Sequence, residues 1–395
     1  MRLKATPEDF VVEEKIDLNL QPSGPWAVYQ IEKRGLTTLE VQRQLARLLK
    51  VSRQQVIFPA LKDRQALAIQ YVTVPASKAK RTLSRPGFRA QHIGYRTHPL
   101  SPRDLLGNSF TLVIRALTPE EAAYLRQRLP LLERIGLPNY FDEQRMGSYA
   151  PGWGFIGKAI LQRDAQEALR AYLARPFVGD PPDIRAFKKR ASSLWPDWQA
   201  MLQIAPKPSN LRSVLTYLVD HPQGYRKALN LIPQRLLAIY LAAYQSYLWN
   251  RLIGYYLHRF YVEHNVPQAF LPIANEQLPF HLSLTSELVH QLAQERIPLP
   301  HHRAIYTGQL KEIVPQVLAE EGLSLHEFKA RILQRAYLPR GTRPLLVFPK
   351  DVALEPAAPD PLHPEHLALR VRFSLPPGSY ATLVLKAATL KERDT

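Results

Sequence analysis

Cysteine is absent from all 395 residues, which excludes disulfides and any zinc or iron–sulfur site built on thiolates. Methionine is scarce, at three, while proline reaches 35, a usage that stiffens loops, leaves little to oxidise and resembles thermophile composition. Long apolar runs are missing too. The longest in the richest helical stretch, residues 236–244, is nine residues, far short of a membrane span. The opening MRLKATPEDF holds no apolar signal-peptide core, so the sequence places the protein in the cytoplasm, away from membranes. There is no Walker loop, dinucleotide glycine fingerprint, nucleophile elbow or metal-spaced histidine set. His301–His302 is the one adjacent pair, and neighbours on a strand or helix point apart, so it is not read as a metal site. Any reaction is left to side chains alone, with no cofactor and no metal.

Negative charge is in short supply. Against 52 Lys and Arg stand 34 Asp and Glu, a net charge of +18, which points to a polyanion partner, with nucleic acid the first candidate. The excess is clustered: Lys78, Lys80, Arg81, Arg85, Arg89, Arg96 and Arg103 share one stretch with no acid between Pro75 and Arg103. A one-sign stretch reads as a phosphate-contacting surface or as a solvated arm.

The length exceeds one ordinary core and predicts two domains, or one with a large insertion. DFVVEE (9–14), WAVYQIE (26–32), VIF (56–58), ALAIQYVTV (66–74) and SFTLVIRAL (109–117) read as strands. Thr37 with Glu40 and Thr118 with Glu121 form capping boxes, starting helices in TTLEVQRQLARLLK (37–50) and from 119 to about 132. From about 165 the chain turns strongly helical. Strand character returns at RPLLVF (343–348) and in HLALRVRFSL (366–375), whose Leu367, Leu369, Val371, Phe373 and Leu375 share one face. SYATLVLKAA then reads as a helix. The fold class is therefore α+β with a mixed, largely antiparallel sheet. The domain reading is 1–164 and 341–395 as the two parts of one domain, with 165–340 inserted as a mostly helical one.

Three stretches carry chemistry: ATPEDFVVEE with Lys4 before it, the triplet Lys62-Asp63-Arg64 between two apolar runs, and LPNYFDEQRMGS (137–148). Taken singly, each also reads as structure; the triplet as a solvated turn, the third as a helix-to-strand loop. Together they resemble the motifs of the TruD family of transfer-RNA pseudouridine synthases. The first is similar to that family's PEDF-V-E block, the second to its catalytic G-x-K-D-[RK], the third to N-Y-F-G-x-Q-R-F-G. GNSFTLVIR (107–115) and VRFSLPPGSYAT (371–382) resemble further blocks in the right order, and YQSYLWN (244–250) is the best match in the helical middle. The sequence departs at Ala60 and Asp142, glycines in the family, and at Met146, a phenylalanine there. Aspartate tolerates left-handed backbone and methionine fills irregular space, so these put loop detail in doubt and not the reaction.

The resemblance implies a pseudouridine synthase catalytic domain carrying the family's inserted TRUD domain, acting without a cofactor on uridine 13 of certain tRNAs, with no obligate protein partner. It makes Asp63 the catalytic carboxylate, either attacking C1′ or taking the C2′ proton. Nearby cations favour its ionised form. Lys4 is a candidate ion-pair partner; Lys62 and Arg64 are candidates for phosphate contact. Phe10, Phe141 and Phe373 match positions lining the uridine pocket, with Phe141 the stacking ring and Asn139 a hydrogen-bonder to base or sugar. Gln144 and Arg145 would brace the loop or touch backbone, and Glu8 matches an acid of unassigned role. The alternative is a non-catalytic tRNA-binding protein of the same fold, for which Asp63 would have no use. A metal-dependent nuclease lacks its carboxylate cluster.

If the basic stretch contacts phosphates, each contact releases counterions and contributes a log–log salt slope of about −0.7 to −0.9. Replacing Arg81, Arg85 and Arg89 together by Ala should weaken binding to all tRNAs alike and flatten that slope by roughly two to three units. Titration at two salt concentrations measures it, and an unchanged slope would identify a solvated arm.

Overall fold

Both capping boxes form. The Thr37 and Glu40 side chains each accept from the other's backbone N–H, at 3.3 and 2.7 Å, and Thr118 with Glu121 repeats the pattern. The computed structural model describes residues 1–62, 64, 66–335 and 337–391. Its N-terminal part contains β1 (Phe10–Ile16), β2 (Trp26–Lys33), α1 (Thr38–Leu49), β3 (Leu67–Pro75), β4 (Thr82–Arg85), β5 (Phe88–Arg96), β6 (Leu105–Leu117) and α2 (Pro119–Ile135). The VIF stretch makes only an isolated bridge, Ile57 to Thr73, and not a strand of its own.

The middle of the chain contains α3 (Ile156–Leu161), α4 (Ala165–Ala174), α5 (Pro182–Leu194), α6 (Trp198–Ile204), α7 (Asn210–Asp220), α8 (Tyr225–Leu229) and the 30-residue α9 (Gln234–Glu263). After α9 comes a hairpin that the helical reading of this region did not contain. Its strands are β7 (Gln268–Ile273) and β8 (Glu276–His281), turned at Ala274, whose φ is 54°. Then follow α10 (Ser286–Ala293), β9 (Arg296–Pro298), α11 (Leu310–Glu320) and β10 (Thr342–Pro344), which pairs with β9. α3 lies hard against α9: a Cβ on Gly157 would stand 2.6 Å from the Tyr240 carbonyl oxygen, so only glycine fits there. The chain ends with β11 (Lys350–Leu354), β12 (Ala358–Pro359), β13 (Leu367–Leu375) and α12 (Ala381–Ala388).

By internal contacts the chain divides into two compact units. One joins Met1–Leu137 to Val347–Thr389; the other is built on Pro138–Leu346. Residues 138–164, read from composition as part of the first domain, make their contacts within the second unit. The composition switch near 165 marks where helices begin, whereas the division follows packing, and α3 packs on α4 and α9.

The first unit is organised by a nine-stranded sheet, ordered β11-β13-β6-β1-β3-β2-β5-β4, with β12 also on β13. Only the β1–β3 pair is parallel, joined by a long crossover; the other named pairs are antiparallel. The amphipathic α1 buries Val41, Leu45 and Leu49 against Tyr29 and Ile31 of β2, Val72 and Val74 of β3, and Phe88. At the other side of the strand order α2 packs with α12, β6, β11 and β13. Fully burying such side chains contributes about 1.5–3 kcal/mol each. The cations of the basic stretch lie mainly on the hairpin β4–β5 and its approach, where Lys78, Lys80, Arg81, Arg85 and Arg89 are exposed. Arg96 is not: it donates to the Asp17 and Leu18 carbonyls and to Asp104 at 2.8 Å.

A buried ionic triad fastens the N-terminal PEDF turn to the sheet. Arg115 of β6 donates to both oxygens of Asp9, at 2.8 and 2.6 Å, and to Asp360 at 2.9 Å. Burial opposes the charge on both carboxylates. Hydrogen bonds outweigh it and hold both below the ordinary aspartate value: from Arg115 and Thr6 at Asp9, and from Ala116, Leu362 and Arg115 at Asp360. A depressed folded pKa contributes stability above the unfolded value that is lost as pH falls through the folded one. The melting temperature should therefore drop as pH falls below the usual carboxylate range, and Asp360→Asn should weaken that dependence. Arg115→Met should destabilise by about 3 kcal/mol in urea unfolding, because it strands two buried carboxylates; a loss under ~1 kcal/mol would refute the role.

Candidate active site

The alternation that makes β1 a strand turns Val12 and Glu14 to the same buried side. Glu14 is thus a carboxylate at a core position, and its side chain has no exposed surface. Its oxygens accept from Gln70 Nε2 and from the Tyr71 backbone N–H, both at 3.1 Å. The counter-charge is Lys62, whose Nζ lies 3.3 Å from Glu14 and also donates to the Asn108 side chain. The same residues hold the backbone ahead of position 63: Gln70 Nε2 donates to the Ala60 carbonyl at 3.1 Å, and the Lys62 N–H donates to Thr38 Oγ1 at 2.8 Å. Thr38 in turn donates to Gln70 at 2.7 Å.

Lys62, a candidate phosphate contact from the sequence, turns inward here to Glu14. Its side chain is only 10% exposed, because the buried Glu14 needs a cation more than solvent does. Arg64 is exposed and donates to Glu40, the capping acid of α1. Thr37 amide and hydroxyl hydrogen bonds hold the Glu40 carboxyl below its ordinary value. Asp63 itself lies outside the described residues, so neither its expected pairing with Lys4 nor its contacts belong to the description. Lys4 has a φ of 58° and sets its ammonium 4.2 Å from the Phe10 ring centroid, a cation–π contact. Phe10 is half-buried, edge-on to Phe110 at 6.1 Å, and Phe110 packs on Phe373 at 5.7 Å. Phe373, expected on the pocket wall, is 0% exposed, as its place on the inward face of β13 requires. Glu8 is exposed and pairs with Arg34 at 2.7 Å.

The other expected residues stand in the second unit, on a loop held by α9. Asn250 grips the backbone of Phe141 at both ends, accepting from its N–H and donating to its carbonyl at 2.8 Å each. Ser246, one turn earlier, accepts from Arg145 Nε at 3.2 Å. Arg343 of β10 is buried and gathers the same loop. It donates to the Asn139 carbonyl at 2.6 Å and side chain at 2.7 Å, and lays its guanidinium 4.1 Å from the Phe141 ring centroid. Asn139, expected to bond a base or sugar, spends its amide here, its Nδ2 donating to the Pro344 carbonyl at 3.2 Å. The Phe141 ring is 9% exposed, with Trp249 edge-on at 5.6 Å. Gln144 and Arg145 are exposed. Asp142 is buried and, where a glycine was expected, caps the following 3-10 turn through Glu143 N–H at 2.8 Å.

The residues that sequence reading missed are the supports: Glu14, Gln70, Asn108 and Thr38 in one unit, Asn250, Ser246 and Arg343 in the other. Glu14 was visible as an acid on the apolar face of its strand, and Asn250 as an amide closing the aromatic-rich YQSYLWN stretch. Arg343 had no local signal. Among the described residues no three His, Asp or Glu side chains are grouped to hold a metal ion. No described helix is long and apolar enough to cross a membrane.

This arrangement can be set beside known proteins. The family model described as tRNA pseudouridine synthase D (TruD) matches residues 1–388. A Methanocaldococcus jannaschii protein named Probable tRNA pseudouridine synthase D 2 is 30% identical, over 99% of this chain and 92% of its own. The tRNA pseudouridine synthase D of Aquifex aeolicus is 26% identical, over 98% and 97%. The crystal structure of a Methanosarcina mazei protein described as "Putative tRNA pseudouridine synthase D (TruD)" superposes with a TM-score of 0.71 at 26% identity, covering 98% of this chain and 93% of that one. A family model matched over residues 1–388 and a 30% identical relative aligned nearly end to end agree on one assignment: the chain belongs to the TruD family of tRNA pseudouridine synthases.

Proposed function

We propose that the protein isomerises uridine 13 of tRNA to pseudouridine, with Asp63 as the catalytic carboxylate. The observation that carries this reading is the anchoring of residues 60–62. Buried hydrogen bonds from Gln70 and to Thr38 fix the chain just ahead of Asp63, on a foundation made by Glu14 and Lys62. A reacting group needs a rigid support of this kind, whereas a solvated turn does not.

In the reaction the N1–C1′ bond breaks, the base turns, C5 bonds to C1′, and the hydrogen lost from C5 is balanced by one gained at N1. No electrons are gained or lost overall. The target must first leave its stack, at a cost of a few kcal/mol. Asp63 either attacks C1′ or takes the C2′ proton; both require it ionised, which Lys4 and Arg64 would favour. Phe10, half-exposed under the Lys4 ammonium and backed by Phe110 and Phe373, is the ring we assign to the sugar or base on this side. Phe141, held by Asn250 and Arg343, is the ring we assign to stacking on the uracil, with Asn139, Gln144 and Arg145 shaping its loop. We assign catalysis to the unit of Met1–Leu137 and Val347–Thr389 and the gripping of RNA to the inserted unit Pro138–Leu346, which moves the boundaries first read at 164 and 341.

Asp63→Asn should leave folding and tRNA binding near wild type and abolish pseudouridine formation, since asparagine is neither nucleophile nor base. Turnover within tenfold of wild type would sink the assignment.

Lys62→Met should behave differently. It leaves Glu14 buried without its cation and should lower stability by about 3–5 kcal/mol in denaturant unfolding. Lys62→Met combined with Glu14→Gln should recover much of that loss. If Lys62→Met instead weakens tRNA binding at unchanged stability, the lysine contacts phosphate after all.

A further inference from the structure

Beyond the residues so far used, the second unit holds a pocket with hydrogen-bond donors in surplus. Its volume is about 380 Å³, and His301, His302, Phe328, Lys329, Tyr337 and Arg340 line it, with no Asp or Glu among the lining residues. His301 and His302 sit on a turn, so their rings do not diverge as neighbours on a strand would; they lie 4.1 Å apart, centroid to centroid. His301 is buried, and both its nitrogens face donors: Nδ1 the Arg303 backbone N–H at 3.1 Å, Nε2 the Arg340 Nε–H at 3.3 Å. An imidazole has at most one lone pair in the ring plane to offer, so it cannot accept from both. Burial, then the neighbouring His302, Arg340 and Arg303, push the His301 pKa down to about 4, which keeps the ring neutral. His302 Nδ1 is buried and has no hydrogen-bond partner among the described residues. Lys329 and Arg340 are exposed at the mouth, and Tyr337 is 64% exposed beside them.

The cluster therefore holds more donors than acceptors, even with the Phe328 backbone bonding His302, and its charge is wrong for a metal cation. What fits is an anion with several oxygens and a flat or apolar neighbour. We propose that this pocket binds a backbone phosphate of tRNA, with the adjoining unpaired base stacked on Tyr337. Lys329 and Arg340 supply the charge, Arg340 gains the acceptor that His301 cannot give it, and the pocket has the volume of an ordinary ligand site. The proposal rests on the reading that the chain acts on tRNA, and adds a contact on the inserted part of the chain that uses none of the residues assigned above.

The test pairs Lys329→Gln/Arg340→Gln with Tyr337→Ala, using melting temperatures to check that each folds. The double variant should bind tRNA about tenfold more weakly at low salt and show a log–log salt slope flatter by about one unit. Arg340→Lys should keep most of the slope. Tyr337→Ala should weaken tRNA binding about fivefold or more with the slope unchanged. Inorganic phosphate should raise the melting temperature of the wild type at low salt and not that of the double variant. An unchanged tRNA slope in the double variant overturns the proposal. If that unchanged slope comes with a lost response to inorganic phosphate, the pocket takes free phosphate and not RNA. All these readouts are binding and melting, so they are independent of catalysis. Pseudouridine formation by the wild type on the same RNA is measured alongside, and failure there counts against the proposed function and not against the pocket.

Discussion

Glu14 places a carboxylate where no water reaches it, and satisfying that group organises the unit around it. A carboxylate without solvent needs a cation and filled lone pairs, or it will not stay ionised. Lys62, Gln70 and the Tyr71 amide meet the need together. In doing so they tie β1, β3 and the segment before Asp63 into one piece. Thr38 adds the first turn of α1 and Asn108 adds β6. Four elements distant in sequence are thus referenced to a single buried charge. The second unit solves the analogous problem with neutral and cationic partners, Asn250 and Arg343, converging on the backbone of 139–141.

Much of the fold was legible because its signals are local. The capping boxes at Thr37 and Thr118 and the clean alternation of 367–375 each depend on neighbours a few residues away, and each appears where the pattern put it. What was not legible depends on distant partners. The hairpin 268–281 hid among helices because its turn uses Ala274-Asn275 and no glycine. The inward turn of Lys62 could not be read from a triplet that looks solvated, since its cause is a carboxylate 48 positions away in sequence, Glu14. In the PEDF block the family pattern drew the eye to Glu8, while burial falls on Asp9, whose partners Arg115 and Asp360 lie far along the chain.

The candidate site divides in the same way. Side chains that would meet a substrate stand in short motifs and could be named from the sequence. Side chains that hold those motifs in place are scattered one per element. Asn139 stands in both groups: its motif suggests a substrate contact, and its side chain also bonds Arg343 and the Pro344 carbonyl.

The placement of β13 between β6 and β11 has a consequence for synthesis of the chain. β13 begins at Leu367, after the whole of Pro138–Leu346 has been made. Until then β6, thirteen residues long, has a bare edge on that side. A nascent first unit therefore waits, with a pairing edge open, while a contiguous second unit is free to fold as it emerges from the ribosome. An open edge of that length is a template for pairing with another chain until β13 arrives.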